Sequence, residues 1–265
     1  MSADLAGGDL GDSESAGHEL VGGVLGGLGP EATLDFFARV IRIAEAERDQ
    51  DHIHLIINNN PKTPNRNDAI AGRGPSSAPA LVDMAKALAA AGADFLVMAC
   101  NAAHAFEADI RAATALPFVS IIDVTMDACL QRYPGMKRIG VLVAEGARDA
   151  RLYERALERH GIEPVVLSDA SQASLMALIY RIKAGDLGPE LRSAVRGLAM
   201  ELTDAGAEAI IAGCTEVPLV LASSDLTVPL IDSTQILAEA TVAYARGERL
   251  LPTIEHNASL EVTSA

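Results

Sequence analysis

The segments GADFLVMACNAAH (92–104) and GAEAIIAGCTEVP (206–218) decide the fold. Each starts with a glycine, passes an acidic residue two positions later and runs through apolar residues to a cysteine. The cysteines are Cys100 and Cys214, 114 residues apart. A short apolar run bounded by turn residues predicts a buried strand. The repeat therefore predicts two similar halves, each with a thiol at the end of a strand, facing each other across a cleft.

Strands and helices alternate on both sides of these segments. The predicted strands are Val21–Leu25, His54–Ile57, Phe95–Ala99, Pro117–Ile122, Arg138–Val143, Pro164–Leu167, Ala209–Ala212 and Val228–Ile231. The predicted helices start at Pro30, span Leu81–Ala91 and Arg148–Gly161, and surround Ile179 and Leu198. Buried strands that alternate with helices imply parallel sheets covered by helices. We expect an α/β fold of two similar parallel-sheet domains related by pseudo-symmetry, with the active site in the cleft between them, since ligands bind beyond the carboxyl ends of such strands.

The predicted domain organisation has two tails and one discontinuous domain. The predicted parts are a disordered tail (1–19), a first domain (20–122 plus 229–250), a second domain (123–228) and a C-terminal tail (251–265). The first 20 residues are acidic, contain no Lys or Arg and lack the basic and apolar regions of a signal peptide. The loops Asn65–Ala78 and Ser168–Ala173 are expected to border or cover the cleft.

The amino-acid composition limits the kinds of molecule that the protein is expected to bind. The chain of 265 residues has 36 acidic and 21 basic residues and a net charge of −15. This balance argues against nucleic acid or an anionic membrane, because both need basic patches. No apolar run reaches the roughly 18 residues of a membrane span, and three cysteines do not indicate a disulfide framework. We expect a protein of the reducing cytoplasm with a small-molecule substrate.

The cysteines admit three interpretations. Free cysteines are often small buried hydrophobes, and this is our prediction for Cys129, which lacks the repeated context. A metal site is disfavoured because no CxxC occurs and His104 has no counterpart at zinc spacing near Cys214. The repeated context favours catalysis by Cys100 and Cys214, since a strand end followed by a helix start supplies N–H groups that favour a thiolate or a carboxylate.

Charged and polar neighbours suggest supporting roles. His104 and Glu216 follow the two thiols and can orient or activate them through hydrogen bonds, although Glu216 equally fits a surface carboxylate. Arg66 and Lys183 taken alone read as surface charges. If their loops border the cleft, they can bind a substrate's distal carboxylate.

The turn GGLGP (26–30) does not have the spacing of a dinucleotide-binding GxGxxG motif and lacks the GK[ST] ending of a phosphate-binding loop. It fits either a plain strand–helix turn or a tight turn that exposes backbone amides at a substrate site.

Six segments in order carry a family resemblance: GGLGPEAT, NNNPKTPNR, GADFLVMACNAAHAF, KAGDL, GAEAIIAGCTEVPL and VPLIDST. Together they resemble the pyridoxal-phosphate-independent aspartate/glutamate racemase family, and its aspartate racemases most closely. The resemblance covers Gly22 to Tyr244. It implies an isomerase that needs no cofactor, has two similar α/β domains and forms a homodimer.

The resemblance also implies roles for individual residues. Cys100 and Cys214 would be the two acid/bases that remove and return the α-proton of an amino acid. Asn101 and Thr215, with Asn59 or Asn60, would hold its α-carboxylate. Arg66 and Lys183 match positions that hold the side-chain carboxylate in aspartate-type members, with glutamate as the next candidate substrate.

The chain departs from the family pattern at the cleft. Ala102 replaces a usual Thr, the Thr-rich turn of the second half reads Ala144-Glu145-Gly146-Ala147, and Leu28 replaces a common Met. Two hydroxyls are lost, and Glu145 can bring a negative charge near the cleft. Two alternatives therefore stay open: a maleate-isomerase-like or arylmalonate-decarboxylase-like enzyme on the same scaffold, and a non-catalytic amino-acid-binding homologue.

Overall fold

The computed structural model describes residues 19–253, so the predicted tails lie almost wholly outside the described residues. Two four-stranded parallel sheets form the framework. The strands are β1 Gly22–Gly26, β2 Leu55–Asn59, β3 Phe95–Met98, β4 Phe118–Val119, β5 Arg138–Leu142, β6 Glu163–Val165, β7 Ala209–Ala212 and β8 Leu230–Asp232. The sheet orders are β2-β1-β3-β4 and β6-β5-β7-β8. The predicted α/β class with two equivalent parallel sheets is confirmed.

Ten α-helices are assigned within residues 19–253. They are α1 Pro30–Ile43, α2 Arg66–Ile70, α3 Ala78–Ala90, α4 Glu107–Ala113, α5 Ile121–Arg132, α6 Glu145–Asp149, α7 Leu152–Arg159, α8 Asp169–Lys183, α9 Pro189–Asp204 and α10 Ser233–Ala245. Pro30 occupies the first turn of α1, where its missing N–H does no harm. We call the sheet of β1 with its helices the first lobe and the sheet of β5 with its helices the second lobe.

The two cysteine strands occupy equivalent places. In the first sheet Val24 of β1 pairs with Val97 of β3, and in the second Val141 of β5 pairs with Ile211 of β7. Both cysteine strands lie inside their sheets, and their residues are completely buried. Parallel strands buried on both faces read as continuous apolar runs. This is why the two segments are so apolar, and why each chain emerges at a sheet's carboxyl edge just before its cysteine.

The lobes exchange elements near the carboxyl edge. We expected residues 229–250 in the first domain, but β8, at Leu230–Asp232, pairs with β7 in the second sheet. The helix that follows, α10, packs against α1 of the first lobe and against α5, which also contacts α7 and β8 of the second lobe. The chain therefore crosses between lobes at Asp232–Ser233. The Asp232 side chain caps α10 by accepting from the N–H groups of Thr234 and Gln235.

Several predicted elements differ from the structure, and three of them show the reason. The strand at Pro117–Ile122 is shorter, because α5 already starts at Ile121. The helix Arg148–Gly161 is divided by Arg151, whose φ of 53° is left-handed and separates α6 from α7. The expected loop Ser168–Ala173 is the start of α8, because the Ser168 side chain accepts the N–H of Ser171 as a cap.

Candidate active site

A cavity of about 250 Å³ lies where the carboxyl ends of β3 and β7 meet, and both Cys100 and Cys214 line it. Seven of the ten predicted site residues line this cavity: Arg66, Cys100, Asn101, Lys183, Cys214, Thr215 and Glu216. Its volume is below the roughly 300–1,000 Å³ of pockets that hold drug-sized ligands. The space therefore suits a ligand of the size of an amino acid.

Cys214 lies beside a buried carboxylate. Its Sγ donates to Oε2 of Glu216 at 3.1 Å, and Thr215 Oγ1 donates to the same oxygen at 3.3 Å. Burial, followed by the negative charge of Glu216, raises the pKa of the Cys214 thiol well above its ordinary value. The arrangement therefore favours the protonated thiol, the state that can give a proton to a ligand.

Lys183 is the cation that balances Glu216. Its Nζ forms an ion pair with Glu216 Oε1 and lies 3.5 Å from the carbonyl oxygen of Leu28. Burial alone would lower the pKa of the ammonium, but the charge of Glu216 and of the nearby cysteines outweighs burial, and the pKa is raised. Lys183 stays charged, yet its charge is largely neutralised by a protein carboxylate.

Gly29 makes room for this ion pair. A Cβ at Gly29 would lie 2.5 Å from Glu216 Oε1 and 3.1 Å from Lys183 Nζ. The φ of −170° is ordinary extended backbone, so space and not conformation requires the glycine. The GGLGP turn thus lies against the charged wall of the cavity, as expected for a turn at a substrate site.

His104 fixes the backbone of Cys100 and is not bonded to its thiol. Its Nε2 accepts the N–H of Ile121 at 3.1 Å, so Nδ1 carries the proton and lies 2.9 Å from the carbonyl oxygen of Cys100. Burial lowers the pKa of the imidazole, which favours its neutral form. Both ring nitrogens are committed to backbone groups. The expected activation of the thiol by His104 is therefore replaced by orientation of the residue that carries it.

Arg66 is held in place by backbone carbonyls. Its guanidinium donates to the oxygens of Thr63 (3.2 Å), Pro64 (2.8 Å) and Leu28 (2.6 Å). Within residues 19–253 it forms no ion pair. Its positive charge is thus preorganised at the cavity wall without a protein carboxylate to neutralise it.

Asn59 and Asn60 are outside the lining of the cavity. Asn59 ends β2 and is exposed. The Asn60 side chain accepts the N–H of Lys62 at 3.1 Å, which closes the turn that follows the strand. The structure therefore does not bring these two residues to the thiols, and the side chain of Asn60 instead stabilises the local turn.

The α2 segment joins the two lobes over the cavity, as expected for Asn65–Ala78. Asn67 Oδ1 accepts the buried N–H of Gly146 at 2.9 Å, and Asn65 Nδ2 lies 3.4 Å from the hydroxyl of Tyr180. A Cβ at Gly146 would lie 2.8 Å from Asn67 Oδ1. Glu145 is half-exposed and forms an ion pair with Arg73, so its charge is directed at the turn that follows α2 and not at the thiols. Asn67 and Tyr180 also line the cavity and were not among the predicted site residues.

Asn101 belongs to a buried polar network. Its Oδ1 accepts from the Tyr153 hydroxyl at 2.7 Å, and its Nδ2 donates to Ser233 Oγ at 3.2 Å. Neither Tyr153 nor Ser233 was among the predicted site residues.

Within residues 19–253 there is no group of three His, Cys, Asp or Glu side chains that could hold a metal ion. None of the helices in this part of the chain combines the length and the apolar character of a membrane span.

Comparison with known proteins defines the class as the amino-acid racemases, which are isomerases. The pattern of the Asp/Glu/Hydantoin racemase family matches residues 25–241, and the chain belongs to this family.

Individual relatives cover most of the chain. The broad specificity amino-acid racemase RacX of Bacillus subtilis (strain 168) is 30% identical over 225 residues, which are 83% of this chain and 96% of RacX. The Picrophilus torridus aspartate racemase is 26% identical with a TM-score of 0.74, covering 91% of this chain and 100% of that one. An aspartate racemase homologue from Pyrococcus horikoshii OT3 is 29% identical with a TM-score of 0.68, covering 86% and 99%.

Proposed function

We propose that this protein interconverts L- and D-aspartate by two-base proton transfer between Cys100 and Cys214, without a cofactor. The observation that carries the proposal is the pair of thiols at equivalent strand ends of two equivalent sheets, both lining one cavity. An α-carbon held between two such groups can lose its proton to one face and regain a proton on the other.

The surroundings of Cys214 support one of the two starting states. A two-base racemase needs one thiolate and one thiol, and such a pair titrates as a coupled unit. Cys214 is the group that its surroundings favour as a thiol. In one direction the Cys100 thiolate takes the α-proton and the Cys214 S–H gives its proton to the opposite face. The reverse direction starts from the state that this turnover leaves, with the proton on Cys100 and the Cys214 thiolate as the base, and Glu216 Oε2 lies 3.1 Å from that sulfur.

The polar groups of the lining suit the carboxylates of the substrate. Charge from the broken C–H bond spreads onto the α-carboxylate, so preorganised donors there lower the barrier. Asn101 and Thr215 are the proposed α-carboxylate ligands, each adjacent in sequence to one thiol. Arg66 is the proposed ligand of the distal carboxylate, because its charge is preorganised and is not neutralised within residues 19–253. Lys183 contributes less than the sequence suggested, because Glu216 already binds it.

A second candidate is a racemase of wider substrate range. The neutralised Lys183 leaves Arg66 as the main cation for an acidic side chain, which weakens the demand for a dicarboxylate. A second cavity of about 180 Å³ shares Arg66, Lys183 and Glu216 with the first. Displacement of the ion pair would join the two spaces and admit longer side chains. The likeness to RacX agrees with this candidate.

A chiral assay over a panel of amino acids tests both candidates. We expect racemisation of aspartate, with glutamate slower and neutral amino acids slower still. Comparable rates for neutral and acidic amino acids would replace the first candidate by the second. Conversion of maleate without racemisation of any amino acid would contradict both. The homodimer and the reducing compartment stay predictions, and light scattering by the purified protein tests the first.

A further inference from the structure

A chain of hydrogen bonds joins the two strand ends that carry the cysteines. The Tyr153 hydroxyl donates to Asn101 Oδ1 at 2.7 Å, Asn101 Nδ2 donates to Ser233 Oγ at 3.2 Å, and Ser233 Oγ donates to the carbonyl oxygen of Ala212 at 2.7 Å. Asn101 directly follows Cys100, and Ala212 is two residues before Cys214. The chain therefore crosses from one catalytic segment to the other.

The carbonyl of Ala212 sets the direction of every bond in this chain. A backbone carbonyl only accepts, so the single hydrogen of the Ser233 hydroxyl is used there. Ser233 Oγ must then accept, and the group that Asn101 presents to it must be the NH₂. The Asn101 oxygen consequently meets the Tyr153 hydroxyl, which donates. The orientation of the amide, often ambiguous in proteins, is determined here from the Ser233 end, and the Tyr153 hydroxyl, which can donate or accept, completes it as a donor.

Burial makes this orientation costly to reverse. Tyr153 and Ser233 are 0% exposed and Asn101 is 1% exposed. A flipped amide would place its oxygen against Ser233 Oγ, so the serine hydrogen could serve either that oxygen or the carbonyl oxygen of Ala212 and one buried acceptor would lose its partner.

We propose that Tyr153 and Ser233 are positioning residues that orient Asn101 so that it offers an N–H, and not its oxygen, to the α-carboxylate of a ligand in the cavity. One Nδ2 hydrogen of Asn101 is committed to Ser233, and the second is available to the cavity that Asn101 lines. A flipped amide would set its lone pairs against the carboxylate. The inference rests on the proposed function for the identity of the ligand, but the recognition of a carboxylate is testable by itself.

Iodoacetate and iodoacetamide provide the test, because both alkylate a thiolate but only iodoacetate carries a carboxylate. The rates at Cys100 and Cys214 are measured by peptide mass spectrometry for the wild type, Tyr153→Phe and the control Tyr244→Phe. Tyr244 is also buried, but its ring packs against Phe95 at 6.2 Å, away from this network.

In Tyr153→Phe we expect the iodoacetate-to-iodoacetamide rate ratio to fall about fivefold, while the iodoacetamide rate stays at the wild-type value. Tyr244→Phe should keep the wild-type ratio. The value of kcat/KM for racemisation should fall about tenfold in Tyr153→Phe, with a lower kcat as well as a higher KM, because the α-carboxylate gains charge in the transition state. A general loss of structure would instead change both alkylation rates together.

Ser233→Ala provides a second variant that breaks the other end of the chain. It should lower the same iodoacetate-to-iodoacetamide rate ratio. In Tyr153→Phe/Ser233→Ala the fall in this ratio should be smaller than the two single effects combined, since both residues act through the amide of Asn101. An unchanged rate ratio in both single variants overturns the proposal. It is also overturned if the iodoacetate-to-iodoacetamide rate ratio of the wild-type protein is no higher than that of free cysteine. If the wild type racemises no amino acid but the ratio falls in both variants, the proposed function fails and the positioning role stands.

Discussion

Replacing Lys183 by Met removes the ammonium from Glu216 and keeps much of the apolar length of the side chain. The Glu216 side chain is only 4% exposed, whereas that of Lys183 is 29% exposed. Removing one partner of a buried ion pair destabilises a protein by about 3–5 kcal/mol, because a charge stays buried without compensation. The carboxylate keeps two donors, Cys214 and Thr215. We therefore expect the lower end, a loss of about 3 kcal/mol in the free energy of unfolding.

Urea unfolding followed by circular dichroism measures this loss, with Lys86→Met on the exposed face of α3 as the control. The control should stay within about 0.5 kcal/mol of the wild type. Lys183→Met/Glu216→Gln should regain most of the loss, because no charge is left buried. A loss below about 1 kcal/mol, or a double variant no more stable than Lys183→Met, would refute the buried pair.

Two further substitutions test the surroundings of Cys214. Glu216→Gln removes the negative charge that, together with burial, raises the pKa of the Cys214 thiol. The alkylation of Cys214 by iodoacetamide should therefore shift to lower pH, while the alkylation of Cys129 should not shift. A shift of the Cys214 alkylation to higher pH would contradict the assignment. Gly29→Ala places a methyl group 2.5 Å from Glu216 Oε1. The free energy of unfolding should therefore fall by about 1–3 kcal/mol, and the chiral assay should give a lower kcat/KM. Wild-type values for both would show that the ion pair moves freely.

The repeated cysteine segments were sufficient to predict the framework of the fold. Their apolar runs form β3 and β7, and the order of the two sheets is the same. Boundaries were harder to predict. An apolar run such as Pro117–Ile122 fits a strand or the start of a buried helix, and the run alone does not show where Ile121 begins a helix. The assignment of β8 to the second sheet was missed because strand order depends on contacts between distant segments.

The motifs predicted which residues lie near the cavity better than they predicted their contacts. Glu216 was placed beside its thiol, but its pairing with Lys183 joins residues 33 positions apart and is not visible as a local pattern. His104 has the spacing of a thiol partner, yet the backbone groups of Cys100 and Ile121 use both ring nitrogens. No local sequence pattern marked Tyr153 as a site residue, since it lies in an ordinary amphipathic helix.

Two missed residues did lie within recognised segments. Asn67 follows the NNNPKTPNR motif directly, and Ser233 lies within VPLIDST. A buried serine at a helix start and an asparagine after a proline-rich turn are usually explained by capping. Their contacts across the lobes become evident only when the two sheets are placed together.

The position of deuterium in the first products tests the two-thiol transfer most directly. L-aspartate is incubated with the protein in D₂O, and the α-position of each enantiomer is followed by mass spectrometry from the earliest turnovers. Transfer between Cys100 and Cys214 predicts deuterium in the D-aspartate formed while the remaining L-aspartate still carries hydrogen. It also predicts that Cys100→Ser and Cys214→Ser each lose at least about 100-fold in racemisation while remaining folded. Equal early labelling of both enantiomers, or full activity in either serine variant, would contradict the account.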